Sequence, residues 1–163
     1  MDSNQNLSNT EIARAVEELD LLTINNQIKH PVLLIDDDKW IHRVICHYLR
    51  EWGFNPLSAY DPIEGLAMAI KHRPALILLD IIMPEVKGDT ILKMLKKIEL
   101  TTEIPIIIIS GNLNTDILGT TFKEGAAAYI SKPIQQPVLL EKVKTAITPL
   151  FMMEQAQYDN VRV

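Results

Sequence analysis

From Pro31 onward, short runs that are apolar at nearly every position alternate with longer stretches in which apolar residues recur every three or four positions. The short runs read as buried strands and the longer ones as amphipathic helices. The predicted order is strand 31–36, helix 39–52 closed by Gly53, strand 55–59, helix 62–72, strand 75–80, helix 89–98, strand 105–109, helix 114–124, strand 127–130 and helix 137–148. Asp61-Pro62 supplies an N-cap and a residue with preset φ for a first helical turn, while Gly53 and Gly125 suit left-handed helix ends. Upstream, Ser8-Asn9-Thr10-Glu11 resembles a capping box, and Ile12, Val16, Leu19 and Leu22 share one helical stripe. A short amphipathic helix is expected there, followed by a polar linker from Thr23 to His30.

Ala75-Leu76-Ile77-Leu78-Leu79 and Ile106-Ile107-Ile108-Ile109 show no polar alternation, so both faces of these strands are covered, as in a parallel sheet flanked by helices. Strand–helix repeats of this length give a doubly wound α/β fold, with five parallel strands in the order 2-1-3-4-5 and five helices around them. Its site lies at the carboxyl ends of the strands. The chain divides into an extension 1–30, a domain 31–149 and a tail 150–163.

With 163 residues, 47% of them hydrophobic, the chain can bury one full core but hardly two. A formal net charge of −5 offers no clustered basic surface for a phosphate backbone, so direct nucleic-acid binding is not expected. The single cysteine, Cys46, sits in a helical apolar pattern and reads as a buried structural thiol in a reducing compartment. The N-terminus is neither basic nor apolar, and no apolar run approaches the roughly 20 residues that cross a bilayer, so a soluble, cytoplasmic protein without membrane insertion is expected.

The polar residues at the predicted strand ends are Asp36, Asp37 and Asp38 after the first strand, Asp80 after the third, Ser110 after the fourth and Lys132 after the fifth. Carboxylates converging in one cleft repel one another and hold their protons unless a cation neutralises them. Mg²⁺ answers that need, since it takes oxygen ligands and commonly binds one or two carboxylates plus waters and phosphate oxygens. Such an ion, an ammonium opposite it and a hydroxyl donor form a receptacle for a transferring phosphoryl group. Asp80, which ends the middle strand, is the candidate nucleophile. Each residue alone has a plainer reading: Asp38 as a helix cap, Ser110-Gly111 and Lys132-Pro133 as turns, Gly88 after Pro84 as a loop closure. The case rests on their joint placement. Trp40, three residues after Asp37, either packs or stands near enough to report metal binding by fluorescence. The histidines, His30, His42, His47 and His72, share no ligand pattern with the acids, and His72 near a helix C-terminus suits the dipole instead.

Ile35-Asp36-Asp37-Asp38, Asp80-Ile81-Ile82-Met83-Pro84 with Gly88, Ser110-Gly111 and Tyr129-Ile130-Ser131-Lys132-Pro133 together resemble the signature blocks of bacterial response-regulator receivers, the CheY-like domains of two-component signalling. The resemblance covers roughly residues 31–149, in the family's order and near its spacing. It implies a flavodoxin-like fold in which Asp80 is the phosphoacceptor, Asp37 binds Mg²⁺ directly and Asp36 orients the metal's water shell. Asp80 and the backbone carbonyl of Ile82 would complete the protein's metal ligands. Lys132 would pair with Asp80 and then with the phosphoryl oxygens, Ser110 would move its hydroxyl toward the phosphoryl group, and Tyr129 would follow as an aromatic switch. The Lys132-Pro133 peptide is expected to be cis. Ile82 and Asn112 occupy positions that vary in the family and tune the acyl phosphate's lifetime, and Lys87 stands where the family often has Asp or Asn.

The implied function is that of a stand-alone phosphorelay response regulator. A histidine kinase or phosphotransfer protein supplies the phosphoryl group, Mg²⁺ is the cofactor, and a downstream protein reads the changed surface of residues 112–148. Beyond its own phosphorylation and dephosphorylation it acts as a switch and not as a conventional enzyme. With tails too short for an output domain, the signal is expected to leave by protein contact, and the 1–30 extension would pack on its own domain, dock a partner or support a homodimer. Two other classes compete. A haloacid-dehalogenase-type aspartyl-phosphate phosphatase wants Asp-x-Asp, which Asp80-Ile81-Ile82 lacks, and a non-phosphorylated receiver-like scaffold would normally have lost part of the acidic cluster or the lysine. A flavodoxin-like FMN binder would need a phosphate loop after the first strand.

Overall fold

The computed structural model describes residues 31–111 and 114–161, together with Thr10 and Arg14. Its elements are β1 (Pro31–Ile35), α1 (Lys39–Glu51), β2 (Asn55–Ala59), α2 (Pro62–His72), β3 (Leu76–Asp80), α3 (Gly88–Lys97), β4 (Ile106–Ser110), α4 (Thr115–Lys123), β5 (Ala128–Ser131) and α5 (Gln136–Val161). The strands form one parallel sheet in the order β2-β1-β3-β4-β5, as the sequence predicts.

The two-residue period of a strand sends alternate side chains to opposite faces, and here both sets are apolar. Val32, Leu34, Leu76, Leu78, Ile107 and Ile109 pack under α1 and α5, against Ile45, Leu49, Val143 and Ile147. Leu33, Ile35, Ile77, Leu79, Ile106 and Ile108 face the other side, against Ala69 of α2 and Ile91, Leu92 and Leu95 of α3. Each such side chain, fully withdrawn from water, contributes about 1.5–3 kcal/mol. The unbroken hydrophobicity of the strands is thus the direct cause of the three-layer arrangement.

Local chemistry sets the helix starts. Asp38 caps α1 by accepting from Trp40 N–H at 2.8 Å. Asp61 caps α2 by accepting from Ile63 and Glu64 N–H, with Pro62 at the first helical position. Asn114 caps α4 through Asp116 N–H, so Ser110 is not that helix's cap.

Two expectations are corrected. β4 starts at Ile106 because Pro105 has no N–H to give the ladder, and it extends to Ser110, which pairs with Ser131 of β5. The final helix does not close at 148: α5 runs through Pro149 to Val161. A proline inside a helix costs about 3 kcal/mol or more, partly by depriving the carbonyl four residues earlier of its donor. That residue, Thr145, is exposed, so water can serve its carbonyl, while Phe151 beyond the proline is buried in the core and holds the helix on course. The helix expected within residues 1–30 lies outside the described residues except at Thr10 and Arg14, which are helical and exposed.

Candidate functional site

Parallel strands in register bring their carboxyl ends to one edge. Ile35 pairs with Leu79, so the next residue, Asp36, emerges level with Asp80, and Asp80 in turn pairs with Ile109. On the next pair of strands Ser110 pairs with Ser131. The residues singled out by the sequence are therefore assembled by topology alone.

One carboxylate oxygen from each of Asp36, Asp37 and Asp80 lies within 4.8 Å of the others. Asp36 and Asp80 are buried and Asp37 is exposed. Asp80 Oδ1 accepts from Ile82 N–H at 2.8 Å, and its Oδ2 accepts from Lys132 Nζ at 2.9 Å. Asp36 Oδ1 accepts from Asp38 N–H at 2.8 Å. Lys132 Nζ also stands 2.8 Å from Asp36 Oδ2. That approach is poorly directed for hydrogen bonding, which leaves a buried carboxylate oxygen held mainly by Coulombic attraction. Lys132 is anchored by its own N–H to the Ser110 carbonyl at 3.0 Å and precedes a cis peptide to Pro133, as expected.

Burial pushes the Asp80 carboxyl above its ordinary value of 3.8; the Ile82 N–H and the Lys132 ammonium pull it down without cancelling the rise, and Asp36 adds to it. Burial pulls the Lys132 ammonium down, but its contacts with Asp36 and Asp80 outweigh this and leave it above 10.5. The two shifts fit one picture: Lys132 stays charged and pairs with Asp36 and Asp80, two of the three acids gathered here.

Tyr129 is half-buried and its hydroxyl donates to the Ser110 carbonyl at 3.4 Å; burial raises its pKa, the Ser110 side chain opposes that rise and the Asp80 charge adds to it. Gly88 opens α3 where a Cβ would stand 2.3 Å from Ile81 Cα and 2.6 Å from the Asp80 carbonyl, so the helix can approach the acid only with glycine there. The loop between carries a tight turn, Val86 N–H to the Pro84 carbonyl at 2.9 Å, with Glu85 at φ 70°, and Lys87 precedes α3 without a side-chain cap. Ile82 is 52% exposed at the rim. Trp40 is 68% exposed beneath the Arg43 guanidinium, so it is not a core residue. Asn112 lies outside the described residues.

The sequence reading passed over His42. It is buried, with Nε2 2.7 Å from the Asp36 carbonyl and Nδ1 2.8 Å from Ser58 Oγ. A signal existed: His42, Ile45, Cys46 and Leu49 form the inward stripe of α1, and a histidine in an apolar stripe must find partners.

The sequence profile of the response regulator receiver domain matches residues 32–144. The chain is 33% identical over 118 residues to the DNA-binding dual master transcriptional regulator RpaA of Synechocystis, covering 71% of this chain and 48% of that protein. It is 31% identical over 114 residues to the polar-differentiation response regulator DivK of Brucella anthropi, covering 70% of this chain and 93% of DivK. Thus it spans about half the length of several transcriptional regulators it matches, but nearly all of DivK. The CheY-like receiver domain protein of Methanospirillum hungatei superimposes with a TM-score of 0.70 at 29% identity, over 77% of this chain and 98% of that one. The chemotaxis protein CheY4 of Vibrio cholerae does so at 0.68 and 26%, over 72% and 98%. By that family match and the shared fold, the chain belongs to the response regulator receiver domain family, the signalling modules of two-component systems.

Proposed function

We propose that the chain accepts a phosphoryl group on Asp80, with Mg²⁺, from a phosphohistidine of a histidine kinase or phosphotransfer protein, and that this alters a protein-binding surface. The observation that carries the reading is the convergence of Asp36, Asp37 and Asp80 in one cleft, where Lys132 pairs with Asp36 and Asp80 and one ammonium faces more acid than it can neutralise. The residues fit Mg²⁺: the donors are hard oxygens, and carboxylate oxygens of Asp36, Asp37 and Asp80 lie within 4.8 Å of one another. Asp37, Asp80 and the Ile82 carbonyl would hold the ion, with Asp36 steadying its waters. When bound, Mg²⁺ neutralises the acids and stabilises charge on the phosphoryl oxygens.

The Asp80 carboxylate attacks phosphorus, and the bond to the donor's imidazole nitrogen breaks, returning its electron pair to the ring. Lys132, already 2.9 Å from Asp80 Oδ2, turns to a phosphoryl oxygen, and the Ser110 hydroxyl donates to another. Tyr129, bonded to the Ser110 carbonyl, follows that movement. Ile82 at the rim governs the access of hydrolytic water and, together with Asn112, the lifetime of the acyl phosphate. A phosphoryl group adds about −1.5 to −2 charge in a small space, enough to bias the surface of residues 112–148 toward a downstream protein. In this reading residues 31–149 act as the receiver, and 1–30 are accessory.

Incubation with acetyl phosphate, with and without Mg²⁺, followed by intact mass measurement tests the proposal. A Mg²⁺-dependent gain of one phosphoryl group, absent in Asp80→Asn, is expected. No gain from acetyl phosphate or from a phosphohistidine donor would leave the chain a receiver-like scaffold.

A further inference from the structure

Beyond the strand ends, the main chain of Asp36 is gripped from two sides. Its N–H donates to the Ala59 carbonyl of β2 at 3.2 Å, and its carbonyl, one residue past the end of β1, meets Nε2 of His42 on α1 at 2.7 Å. A carbonyl only accepts, so Nε2 carries the hydrogen, and in the neutral ring Nδ1 must accept from Ser58 Oγ at 2.8 Å. Ser58 Oγ is then free to accept from the Cys46 thiol at 3.6 Å. The hydrogen bonds thus run in one direction, from Cys46 to Ser58 to His42 to Asp36. The Tyr60 ring, centroid 4.2 Å from the imidazole, covers the array.

The carbonyl of Asp36 belongs to the planar peptide that joins it to Asp37. Fixing that plane fixes the relative positions of both Cα atoms and, with the flanking φ and ψ held by β1 and the start of α1, limits the directions in which their side chains project. Asp37 is the exposed acid of the cluster, with little packing of its own to orient it. We propose that His42 is a positioning residue for the acidic cluster: by holding the Asp36–Asp37 peptide it sets the spacing of the two carboxylates, and β2 shares in this through Ser58. This rests on the reading of the cluster as a Mg²⁺ site.

The test compares two amides of different reach in the full-length protein. In His42→Gln the side-chain NH₂ extends to where Nε2 stands and keeps the bond to Asp36. In His42→Asn the amide ends near Nδ1, keeping Ser58 and losing Asp36. Circular dichroism melts without metal report folding, and a Mg²⁺ titration followed by tryptophan fluorescence and backbone-amide NMR reports the site. His42→Gln should bind Mg²⁺ within about threefold of wild type. His42→Asn should bind about tenfold more weakly or worse, the loss typical when a partner of a metal ligand is removed. A merely structural histidine would lower both melts without separating the two affinities, and equal Mg²⁺ affinity in the two folded variants overturns the proposal. Should His42→Asn fail to fold, Ser58→Ala takes its place: a weakening of about threefold supports the proposal and wild-type affinity overturns it. If wild type itself binds no Mg²⁺, the metal-site reading fails first, independently of His42.

Discussion

Helix α1 sinks His42, Ile45, Cys46 and Leu49 into the core, whereas α4, across the same site, buries only Thr121 and half-covers Ile117 and Leu118. Beneath α1 there is close packing. Beside α4 lies a cavity of about 510 Å³ lined by Ile81, Ile82, Met83, Ile117 and Thr121, with Lys87, Asp89 and Asp116 at its polar wall. Asp36 and Asp37, which lead into α1, therefore sit on the tightly packed side, and α4, which follows Ser110, is the element with less core contact to hold it. Elements that respond to a signal come from the weakly held end of a fold.

The largest expected effect tests that contrast directly. Ile45→Ala should destabilise by about 2–5 kcal/mol, the transfer and cavity cost of a fully buried side chain. Ile117→Ala, already beside open space, should cost about 1 kcal/mol or less. Urea denaturation of the two variants measures the difference, and equal losses would erase the comparison.

A smaller effect concerns the charge held on the rigid side. Because burial raises the Asp80 pKa, the folded chain binds its proton up to a higher pH than the unfolded chain does. The resulting stabilisation is complete below the ordinary 3.8 and is lost as pH rises through the folded value, so at pH 7 the ionised carboxylate costs stability. Asp80→Asn should therefore melt higher than metal-free wild type at neutral pH, by about 2–4 °C for each kcal/mol relieved in a domain of this size. The advantage should shrink as pH falls toward 4. Mg²⁺ should raise the wild-type midpoint more than that of the variant. A lower neutral melt for Asp80→Asn would mean that its contacts to Ile82 and Lys132 outweigh its burial.

The sheet was legible because its strands are apolar on both faces, and the acids, Ser110 and Lys132 were legible because strand ends are set by where that run stops. The length of α5 was not, since local rules stop a helix at Pro149 and only the seating of Phe151 in a distant core overrides them. His42 was missed for the same kind of reason: its partners, Ser58 and the Asp36 carbonyl, come from two other elements. Gly88 read as a loop residue until the close approach of Ile81 and Asp80 gave it a steric cause.

The smallest effect sharpens the contrast within α4 itself. Its C-terminal end is tied to α3 by Lys93 Nζ, 2.9 Å from Glu124 Oε1 and 4.0 Å from Asp89 Oδ2. Glu124 is mostly buried and caps the helix where the dipole disfavours an acid, so it depends on that ammonium. The bond to Glu124 raises the Lys93 pKa, so the ammonium stays charged through neutral pH. Lys93→Met leaves the acid unpaired without touching the core. Amide exchange over residues 120–125 should then accelerate while β1 and α1 are unchanged, and the thermal midpoint should fall only slightly because the loss is confined to the end of α4, where water can reach the acid once the Lys93 ammonium is gone. High salt should reproduce part of the effect in wild type by screening the pair. If exchange in α1 accelerates equally, α4 is not a separately yielding element and the two walls respond as one.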